Sequence, residues 1–438
     1  MHVPRRSRGG YSSPGRSGSR RRVVGSFAAL ATAAGLLSAC GGGGGTPTLI
    51  WYINPDTGGQ AAIASRCTAA SNGAYKIETQ VLPQDAGQQR VQLARRLAAG
   101  DSSIDLMSID PAFTAEFAAA KYVVPVPDDV KSKLPQAFKG AITASTWDGK
   151  EVVAPFWSNV QTLWYRKSFA QKAGLDMSQP VTWDQIIKAA SDNGGTVGVQ
   201  ANKYEGYVVW INALVMGAGG NLVTDPGAGV DAKIDVNSQA GKDAASVIDA
   251  LAHSKAAEPD LSVSNEGTVL APFATPQGAF QVNWTFIYQN YASDKATLND
   301  LGWAMYPETV QGTPSRPPYG GIGIGVSSTS KHTDLDWKAV ECITSPDNQG
   351  QYAVDTGNMP SSAAGYSYGK LTSAYPASLL QLFQKSVEAA GPRPLSPYWS
   401  DISGAIQSTW HPAGSVSSST PASSQTFIQQ VLEGKKLL

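Results

Sequence analysis

Residues 104–109 read Ile-Asp-Leu-Met-Ser-Ile, and Asp110 and Pro111 follow directly. The apolar run predicts a strand that ends at Asp110, and the proline after it predicts the first turn of a helix. Two further strands are predicted upstream, at residues 48–53 (TLIWYI) and 75–82. Helical segments separate these strands, so the pattern predicts an α/β fold with a largely parallel sheet.

Two aspartates stand at the carboxyl ends of predicted strands. Asp56 follows the first strand in a polar turn, and Asp110 follows the third. In open α/β sheets, ligands bind beyond the carboxyl ends of the strands, so both carboxylates are candidate ligand contacts. For each of them, a role as a helix cap or turn residue is the structural alternative.

The rest of the chain supplies further elements. Asp85 is predicted to cap a helix that runs to Leu97, and Thr182 forms a capping box with Gln185. The other predictions are an amphipathic helical region at 201–222, a strand at 280–288, a tight glycine turn at 320–325 that enters a strand, a helix at 336–343, and a serine-rich loop at 415–424 before a last helix at 425–437.

The amino-terminal segment has the features of an export signal. Residues 1–39 hold seven arginines and no acidic residue, and an apolar run at 23–37 follows the arginines. This run is too short and too weakly apolar for a stable transmembrane helix, so residues 1–39 are predicted to be a signal peptide. The pair Arg20-Arg21 leaves the twin-arginine and the general secretory routes both open.

A lipidation site is predicted at the end of the signal. Residues 37–40 (Leu-Ser-Ala-Cys) resemble the bacterial lipobox, in which the cysteine is lipidated and becomes the new amino terminus. Residues 40–47 would then be the lipidated Cys40 and a glycine-rich flexible tether. We expect a globular domain at residues 48–438, held at the extracytoplasmic face of the cell membrane. A plain signal peptide with an incidental cysteine is the alternative.

The length of the chain and its charge indicate how many lobes it forms and which ligands it does not bind. A chain of 438 residues suits two lobes of ordinary domain size. Seven of the 34 basic residues lie in the signal, so the remainder of the chain is net acidic. A net-acidic chain without basic runs argues against nucleic-acid binding.

Signs of enzymatic chemistry are weak. The four histidines are widely spaced, which argues against a zinc site or histidine-based catalysis. Residues 365–369 match GxSxG, but loop-forming residues precede them where a nucleophile elbow needs a strand. We expect no catalytic residue, metal or cofactor. A lipid-anchored glycosidase with two facing carboxylates is the enzymatic alternative.

Several motifs in order resemble one family. They are YVVPVP at 122–127, VAPF at 153–156, LWYR at 163–166, AGL at 173–175, TWD at 182–184, ITSP at 343–346 and GNMP at 357–360. Together they resemble the extracellular solute-binding proteins of ABC sugar importers, the maltose-binding-like group. The resemblance implies a periplasmic-binding-protein-like fold of two α/β lobes with a hinge and a central ligand cleft. It also implies ABC transporter permease subunits as partners. This chain has no P-loop, so any ATP hydrolysis belongs to a partner.

The resemblance sets approximate lobe boundaries. The first lobe would comprise residues 48–157 and 315–360, and the second lobe residues 158–314 and 361–438. Cys67 and Cys342 would form a disulfide that ties a late helix back to the first lobe. An even pair of cysteines in an exported chain favours a disulfide, and two buried free thiols are the alternative.

Within this family, the chain most closely resembles mycobacterial trehalose-binding lipoproteins. The resemblance lies in residues 88–97, 104–107, 114–117, 206–210 and 282–284. It implies that the ligand is a disaccharide, with trehalose first and another α-linked disaccharide or an oligosaccharide as the alternative. Position by position, it implies ligand contacts at Asp56, Gln89, Asp110, Asn159, Glu266, Trp284, Gly321 and Arg393. In this set, carboxylates would accept from sugar hydroxyls, Asn and Arg would donate, and the indole would cover a sugar ring.

Overall fold

The computed structural model describes residues 45–438. The predicted signal peptide, Cys40 and most of the predicted tether lie outside the described residues. Within residues 45–438, no helix combines the length and the apolar character needed to cross a membrane.

Eleven strands occur in the described residues. They are β1 (Thr48–Ile53), β2 (Lys76–Val81), β3 (Leu106–Ile109), β4 (Thr146–Trp147), β5 (Lys150–Glu151), β6 (Ala154–Val160), β7 (Thr162–Arg166), β8 (Thr196–Gly198), β9 (Gly278–Asn283), β10 (Leu301–Ala304) and β11 (Tyr319–Val326).

Helices surround these strands in the described part of the chain. The α-helices are α1 (Gly59–Ala70), α2 (Ala86–Ala98), α3 (Thr114–Ala119), α4 (Asp128–Lys131), α5 (Lys139–Ala144), α6 (Lys167–Ala173), α7 (Trp183–Asn193), α8 (Glu205–Gly217), α9 (Gln239–Ala252), α10 (Leu270–Phe273), α11 (Ile287–Asn290), α12 (Lys295–Asp300), α13 (Thr333–Ile343), α14 (Pro346–Thr356), α15 (Ala363–Tyr366), α16 (Gly369–Ala374), α17 (Ala377–Ala389), α18 (Trp399–Trp410) and α19 (Thr420–Leu432). Short 3₁₀ helices occupy Pro111–Phe113, Pro226–Asp231, Leu261–Val263 and Ala413–Ser415.

A five-stranded sheet in the order β2-β1-β3-β11-β6 forms the first lobe. Strand β1 is parallel to both β2 and β3, as the alternation of strands and helices predicts. Strand β11 is antiparallel to both β3 and β6, so the sheet is mixed rather than largely parallel. The two antiparallel pairings come from chain segments far apart in sequence, which local periodicity does not reveal.

The glycine-rich segment at 320–325 is a strand rather than the predicted turn. It lies inside β11, which is buried along its whole length. A Cβ on Gly323 would lie 2.4 Å from the Val153 side chain, and one on Gly325 would lie 2.6 Å from the Ile109 side chain. The glycines therefore allow close packing in the middle of the sheet, and they do not reverse the chain.

A four-stranded sheet in the order β10-β7-β9-β8 forms the second lobe. Strand β7 is antiparallel to β10 and β9, and β8 is parallel to β9. The predicted strand at 280–288 is too long, because β9 ends at Asn283. The side-chain Oδ1 of Asn283 accepts a hydrogen bond from the Trp284 backbone N–H at 2.9 Å, and the chain leaves the sheet there.

Two helix predictions also need correction. Helix α8 is not amphipathic, since twelve of its residues, including Tyr207 and Trp210, are buried. Such a helix lies inside the lobe, so its sequence has no polar face. The last helix, α19, begins at Thr420 with Pro421 in its first turn, so part of the predicted serine-rich loop is helical. Proline in the first turn is compatible with a helix, because the N–H it lacks would have no partner there.

The local capping predictions are confirmed. The Asp85 side chain accepts from the Gln88 backbone N–H at 2.8 Å, which caps α2. Thr182 and Gln185 form both hydrogen bonds of the capping box at the start of α7. These motifs are local, so the sequence alone is sufficient to identify them.

A disulfide joins Cys67 in α1 to Cys342 in α13, as predicted. Both helices pack with the first lobe, where α13 contacts β11. The chain crosses between the two sheets at Gln161, which separates β6 from β7. After residue 361 the chain contacts both lobes, because α17 packs on β6 and α5 whereas α18 packs on α8 and α19.

Candidate functional site

A cavity of about 400 Å³ lies between the two lobes. This volume falls within the range of small-molecule sites, roughly 300–1,000 Å³. The first lobe contributes the carboxyl ends of β1 and β3, the start of α2, and parts of β6 and β11. Seven of the eight residues predicted as ligand contacts line the cavity: Gln89, Asp110, Asn159, Glu266, Trp284, Gly321 and Arg393.

Arg393 joins carboxylates from both lobes. Its Nη2 donates to Asp110 Oδ1 at 2.7 Å, and its Nη1 donates to Glu205 Oε1 at 2.8 Å. Asp110 follows β3 in the first lobe, and Glu205 begins α8 in the second. The guanidinium side chain is only 5% exposed, so both contacts are shielded from water. The segment between α17 and α18 therefore fixes two carboxylates at the base of the cleft.

The charge states of this triad follow from its burial. Burial raises the pKa of Glu205, while Arg393 and the Ser403 hydroxyl oppose the shift. Burial alone would lower the pKa of Arg393, but Asp110 and Glu205 outweigh it and raise the pKa. The guanidinium therefore keeps its charge in the closed interior, where unpaired charge is costly.

Asn159 lies where the chain crosses between the lobes. Its Nδ2 donates to Asn358 Oδ1 at 2.7 Å, and its Oδ1 accepts from the Thr285 hydroxyl at 2.8 Å. The same oxygen accepts from the Met359 backbone N–H at 3.1 Å. Asn159 thus links β6 to the segment after β9 and to the GNMP segment. These contacts lie beside the crossing between the two sheets, and Asn159 also lines the cavity.

Trp284 forms an apolar wall of the cavity. It follows β9 of the second lobe, yet its ring packs on Gly320 in β11 of the first. A Cβ on Gly320 would lie 2.7 Å from the indole Cζ3 atom, so only glycine leaves room for the ring in this position. Trp157 and Phe286 line the same cavity. Aromatic faces of this kind pack well on the CH faces of sugar rings.

Gly321 is required by its backbone. Its φ is +127°, in a region that only glycine adopts readily. A Cβ there would also lie 2.2 Å from the Trp157 carbonyl oxygen. A ligand contact at this position would therefore be to backbone atoms, whose conformation the glycine sets.

Glu266 and Gln89 lie on opposite lobes of the cleft. Glu266 Oε2 accepts from the Tyr204 hydroxyl at 2.7 Å. Burial raises the pKa of Glu266, the Tyr204 hydrogen bond opposes the shift, and the negative charge of Asp85 adds to it. Gln89 Nε2 donates to the Pro83 carbonyl at 2.8 Å, which leaves its amide oxygen for other donors.

Asp56 does not line this cavity. Its Oδ1 accepts from the Gly58 backbone N–H and its Oδ2 from the Gln60 backbone N–H, both at 2.8 Å. Both carboxylate oxygens therefore serve the turn that leads into α1. Asp56 therefore acts as a turn residue, which is the alternative to a ligand contact that the sequence left open.

Several residues that line the cavity lie outside the set predicted from the sequence. Glu205 is the most important of them, since it also accepts from the Trp399 indole at 2.8 Å. A lone carboxylate at the head of an otherwise apolar segment, EGYVVWINALV, is a signal for such a buried role. Other lining residues outside the predicted set include Asn54, Asp85, Trp157, Tyr204, Phe286 and Asn358.

Two catalytic features were considered from the sequence, a metal centre and a nucleophile elbow at GxSxG. Across residues 45–438, no group of three or more His, Cys, Asp or Glu side chains is placed to hold a metal ion. Ser367 of the GxSxG match lies on the surface, and its hydroxyl donates to the Ala363 carbonyl at 3.2 Å. It follows α15 rather than a strand, so it is not a nucleophile elbow.

Comparison with known proteins places these features in context. Residues 60–350 match the family described as bacterial extracellular solute-binding protein. A relative from Deinococcus radiodurans, described as a probable ABC transporter-binding protein, is 23% identical over 324 residues, which are 70% of this chain and 74% of the relative.

Solved structures share the fold. Maltose-bound MalE3 of T. maritima has a TM-score of 0.76 at 21% identity, covering 88% of this chain and 99% of that one. UgpB from Mycobacterium tuberculosis, in complex with glycerophosphocholine, has a TM-score of 0.73 at 16% identity, covering 89% and 100%. These likenesses confirm the predicted two-lobed fold. Because the two structures hold different ligands, the fold alone does not identify the ligand of this chain.

Proposed function

Because the chain belongs to the bacterial extracellular solute-binding protein family, we propose that it captures a disaccharide and delivers it to an ABC importer. Membership of this family identifies a solute-binding protein of the extracytoplasmic space rather than an enzyme. The predicted absence of catalytic function agrees with that assignment.

One observation carries the sugar proposal. The cleft places the Trp284 ring in the same cavity of about 400 Å³ as Asp110 and Arg393. An aromatic face beside charged hydrogen-bonding groups suits a sugar, which offers apolar CH faces and a rim of hydroxyls. Asn159, Glu266 and Gln89 add further polar groups around the same space.

Trehalose is the ligand that we propose first. The support is the resemblance of residues 88–97 and 206–210 to mycobacterial trehalose-binding lipoproteins. Another α-linked disaccharide or an oligosaccharide is the alternative within the same role. The network around Asn159 would act as a hinge, so that ligand binding favours lobe closure and the permease subunits meet the closed form.

A thermal-shift screen tests the ligand. Purified protein is heated with trehalose, maltose, other α-linked disaccharides, polyols and glycerophosphocholine. A ligand that binds only the folded state stabilises it by about 2.7 kcal/mol at a concentration of 100 times its Kd. We expect the largest shift with trehalose. A shift with glycerophosphocholine and none with any sugar would contradict the sugar proposal.

We also propose that Cys40 is lipidated and anchors the protein to the membrane. The support is the lipobox-like sequence LSAC at 37–40 and the glycines that follow it. In cell fractionation, the wild-type protein should stay with the membrane and the Cys40→Ala variant should leave it. A variant that stays with the membrane would show that the anchor lies elsewhere.

A further inference from the structure

The charged residues that line the cleft are mostly acidic. Four carboxylates line the cavity, and Arg393 is the one basic side chain among its lining residues. The carboxylates are Asp85, Asp110, Glu205 and Glu266. Both terminal nitrogens of Arg393 already donate to two of these carboxylates. Within the described lining, no cation is left over for an anionic ligand.

Asp85 and Glu266 approach this space from opposite lobes. Asp85 caps α2 in the first lobe, and Glu266 precedes α10, which packs on β8 and β9 in the second. Both side chains line the same cavity, and the charge of Asp85 adds to the burial that raises the pKa of Glu266 and of Tyr204. Like charges that face each other across a closing cleft repel, unless the ligand brings positive charge or donors between them.

The unused hydrogen-bond acceptors of the cleft also favour a ligand that brings donors or positive charge. Asp85 Oδ1 accepts from the Gln88 N–H, and Asp110 Oδ1 accepts from Arg393 and from the Ala112 N–H. Among residues 45–438, neither Oδ2 atom of these two aspartates accepts a hydrogen bond. The cleft therefore offers free acceptors, and a ligand must bring donors. Hydroxyl and ammonium groups are donors, whereas phosphate and carboxylate groups are chiefly acceptors.

We propose that the cleft selects sugars that carry no anionic group, prefers an ammonium-substituted sugar to its neutral parent, and owes this selectivity to Asp85 facing Glu266. This inference deepens the proposed function and rests on it. Asp85 lies outside the set of ligand contacts that the sequence resemblance implies. Its role is in specificity, because it sets which charge the cleft accepts.

A matched series of ligands tests the proposal. Trehalose, trehalose 6-phosphate and 6-amino-6-deoxytrehalose differ only at one position, which carries a neutral, an anionic or a cationic group. Calorimetric titration of the wild-type protein should give trehalose 6-phosphate a Kd at least about 100-fold above that of trehalose, since like-charge contacts are strongly unfavourable. The amino sugar should bind at least about threefold more tightly than trehalose at pH 6.5, and this preference should weaken at high salt.

The Asp85→Asn variant tests the effect of the negative charge of Asp85 separately from its role as a helix cap. Asparagine caps helices as well as aspartate does, so α2 is retained while one negative charge is lost. The ratio of the Kd values for the phosphate and the neutral sugar should fall at least about fivefold. Asp294→Asn is the control, because Asp294 also caps a helix, α12, and does not line the cavity. Its ratio should equal that of the wild type. If Asp85→Asn lowers the melting temperature, Glu266→Gln provides a second removal of charge from the same pair.

The outcomes separate this inference from the function on which it rests. Binding of trehalose and trehalose 6-phosphate with similar Kd values would overturn the charge selectivity alone. An unchanged ratio in Asp85→Asn and in Glu266→Gln would overturn the role of this pair. Failure of trehalose and of every other neutral disaccharide to bind would overturn the proposed function, and this inference with it.

Discussion

The guanidinium of Arg393 lies 2.7 Å from the carboxylate of Asp110, although 283 positions separate the two residues in the chain. This contact ties the segment between α17 and α18 to the carboxyl end of β3. Asp110 Oδ1 also accepts from the Ala112 N–H at 2.9 Å. The Asp110 side chain therefore caps the short helix and still lines the cavity. The two roles predicted from the sequence, helix cap and ligand contact, are compatible.

Replacement of Asp110 should weaken sugar binding. Asp110→Asn keeps the shape of the side chain but removes one of the two charges that hold Arg393. Loss of a charged acceptor in a closed cleft costs roughly 1–3 kcal/mol, which is about a tenfold to hundredfold rise in Kd. Calorimetric titration with trehalose measures the change.

The control for Asp110 is Asp101→Asn. Asp101 also pairs with an arginine, Arg96, at 2.7 Å, but it lies away from the cavity. Its removal should leave the Kd as it is in the wild type. An unchanged Kd in a folded Asp110→Asn protein would show that Asp110 is structural only.

The contact between Gly320 and Trp284 gives a second prediction. A methyl group at position 320 would lie 2.7 Å from the indole, so Gly320→Ala should displace the Trp284 ring. We expect at least a tenfold rise in the Kd for the sugar and a changed tryptophan emission spectrum. Gly369→Ala is the control, since no atom lies within 4 Å of a Cβ built there. Equal affinity in both variants would mean that the ring position does not matter for binding.

The disulfide should contribute to stability and not to binding. The Cys67–Cys342 bond closes a loop across 275 positions, and such bonds typically stabilise by about 2–4 kcal/mol. The double variant Cys67→Ala/Cys342→Ala should lose a free energy of unfolding in that range in urea denaturation without reductant. Added reductant should lower the wild-type value and leave the variant as it is. A wild-type value that does not respond to reductant would contradict the prediction.

A cluster near the start of α13 should make stability depend on pH. The Ser330 hydroxyl lies 2.8 Å from Asp105 Oδ1 and 2.6 Å from Asp336 Oδ2, but it has one hydrogen to give. A proton on Asp336 satisfies the second contact. Burial raises the pKa of Asp336 from 3.8 to about 6, with the Ser330 hydrogen bond opposing the shift.

The sign of this effect follows from proton binding. Between pH 3.8 and about 6, folded Asp336 keeps its proton and the unfolded chain loses it, so raising the pH lowers stability. Above about pH 6 the full cost remains, on the order of 2–3 kcal/mol. Asp336→Asn should therefore raise the melting temperature at pH 7.5 and have little effect at pH 4. Asp334→Asn, an exposed residue in the same first turn, is the control and should change neither value. A melting temperature unchanged by Asp336→Asn at pH 7.5 would contradict the assignment.

Local signals in the sequence were sufficient to predict several elements in both lobes. The strand predicted at 104–109, found as β3 at Leu106–Ile109, depends on residues within a few positions of one another, as do the cap at Asp85 and the capping box at Thr182. Cys67 and Cys342 could be paired because no other cysteine follows Cys40. The structure contains these predicted features because tertiary packing favours the same conformations as the local sequence.

Other features depend on contacts that are distant in sequence. The glycine-rich sequence of β11 is typical of a turn. The reason for its glycines is seen only in the structure, where the Val153 and Ile109 side chains pack against them. Helix α8 has no polar face because other elements cover all of it, and the role of Glu205 becomes clear only when Arg393 reaches it. Asp56 and Asp110 both follow strands, yet only Asp110 lines the cavity, since a turn uses both oxygens of Asp56.

The most direct test of the sugar-binding cleft is calorimetric titration of trehalose into the wild-type protein and into Trp284→Ala. We expect one binding site per wild-type molecule. We also expect a Kd at least tenfold higher in the variant, because the ring wall of the cavity is lost. Melting curves show whether the variant is folded. Unchanged affinity in folded Trp284→Ala, or no binding of any neutral disaccharide by the wild type, would contradict sugar binding in this cleft.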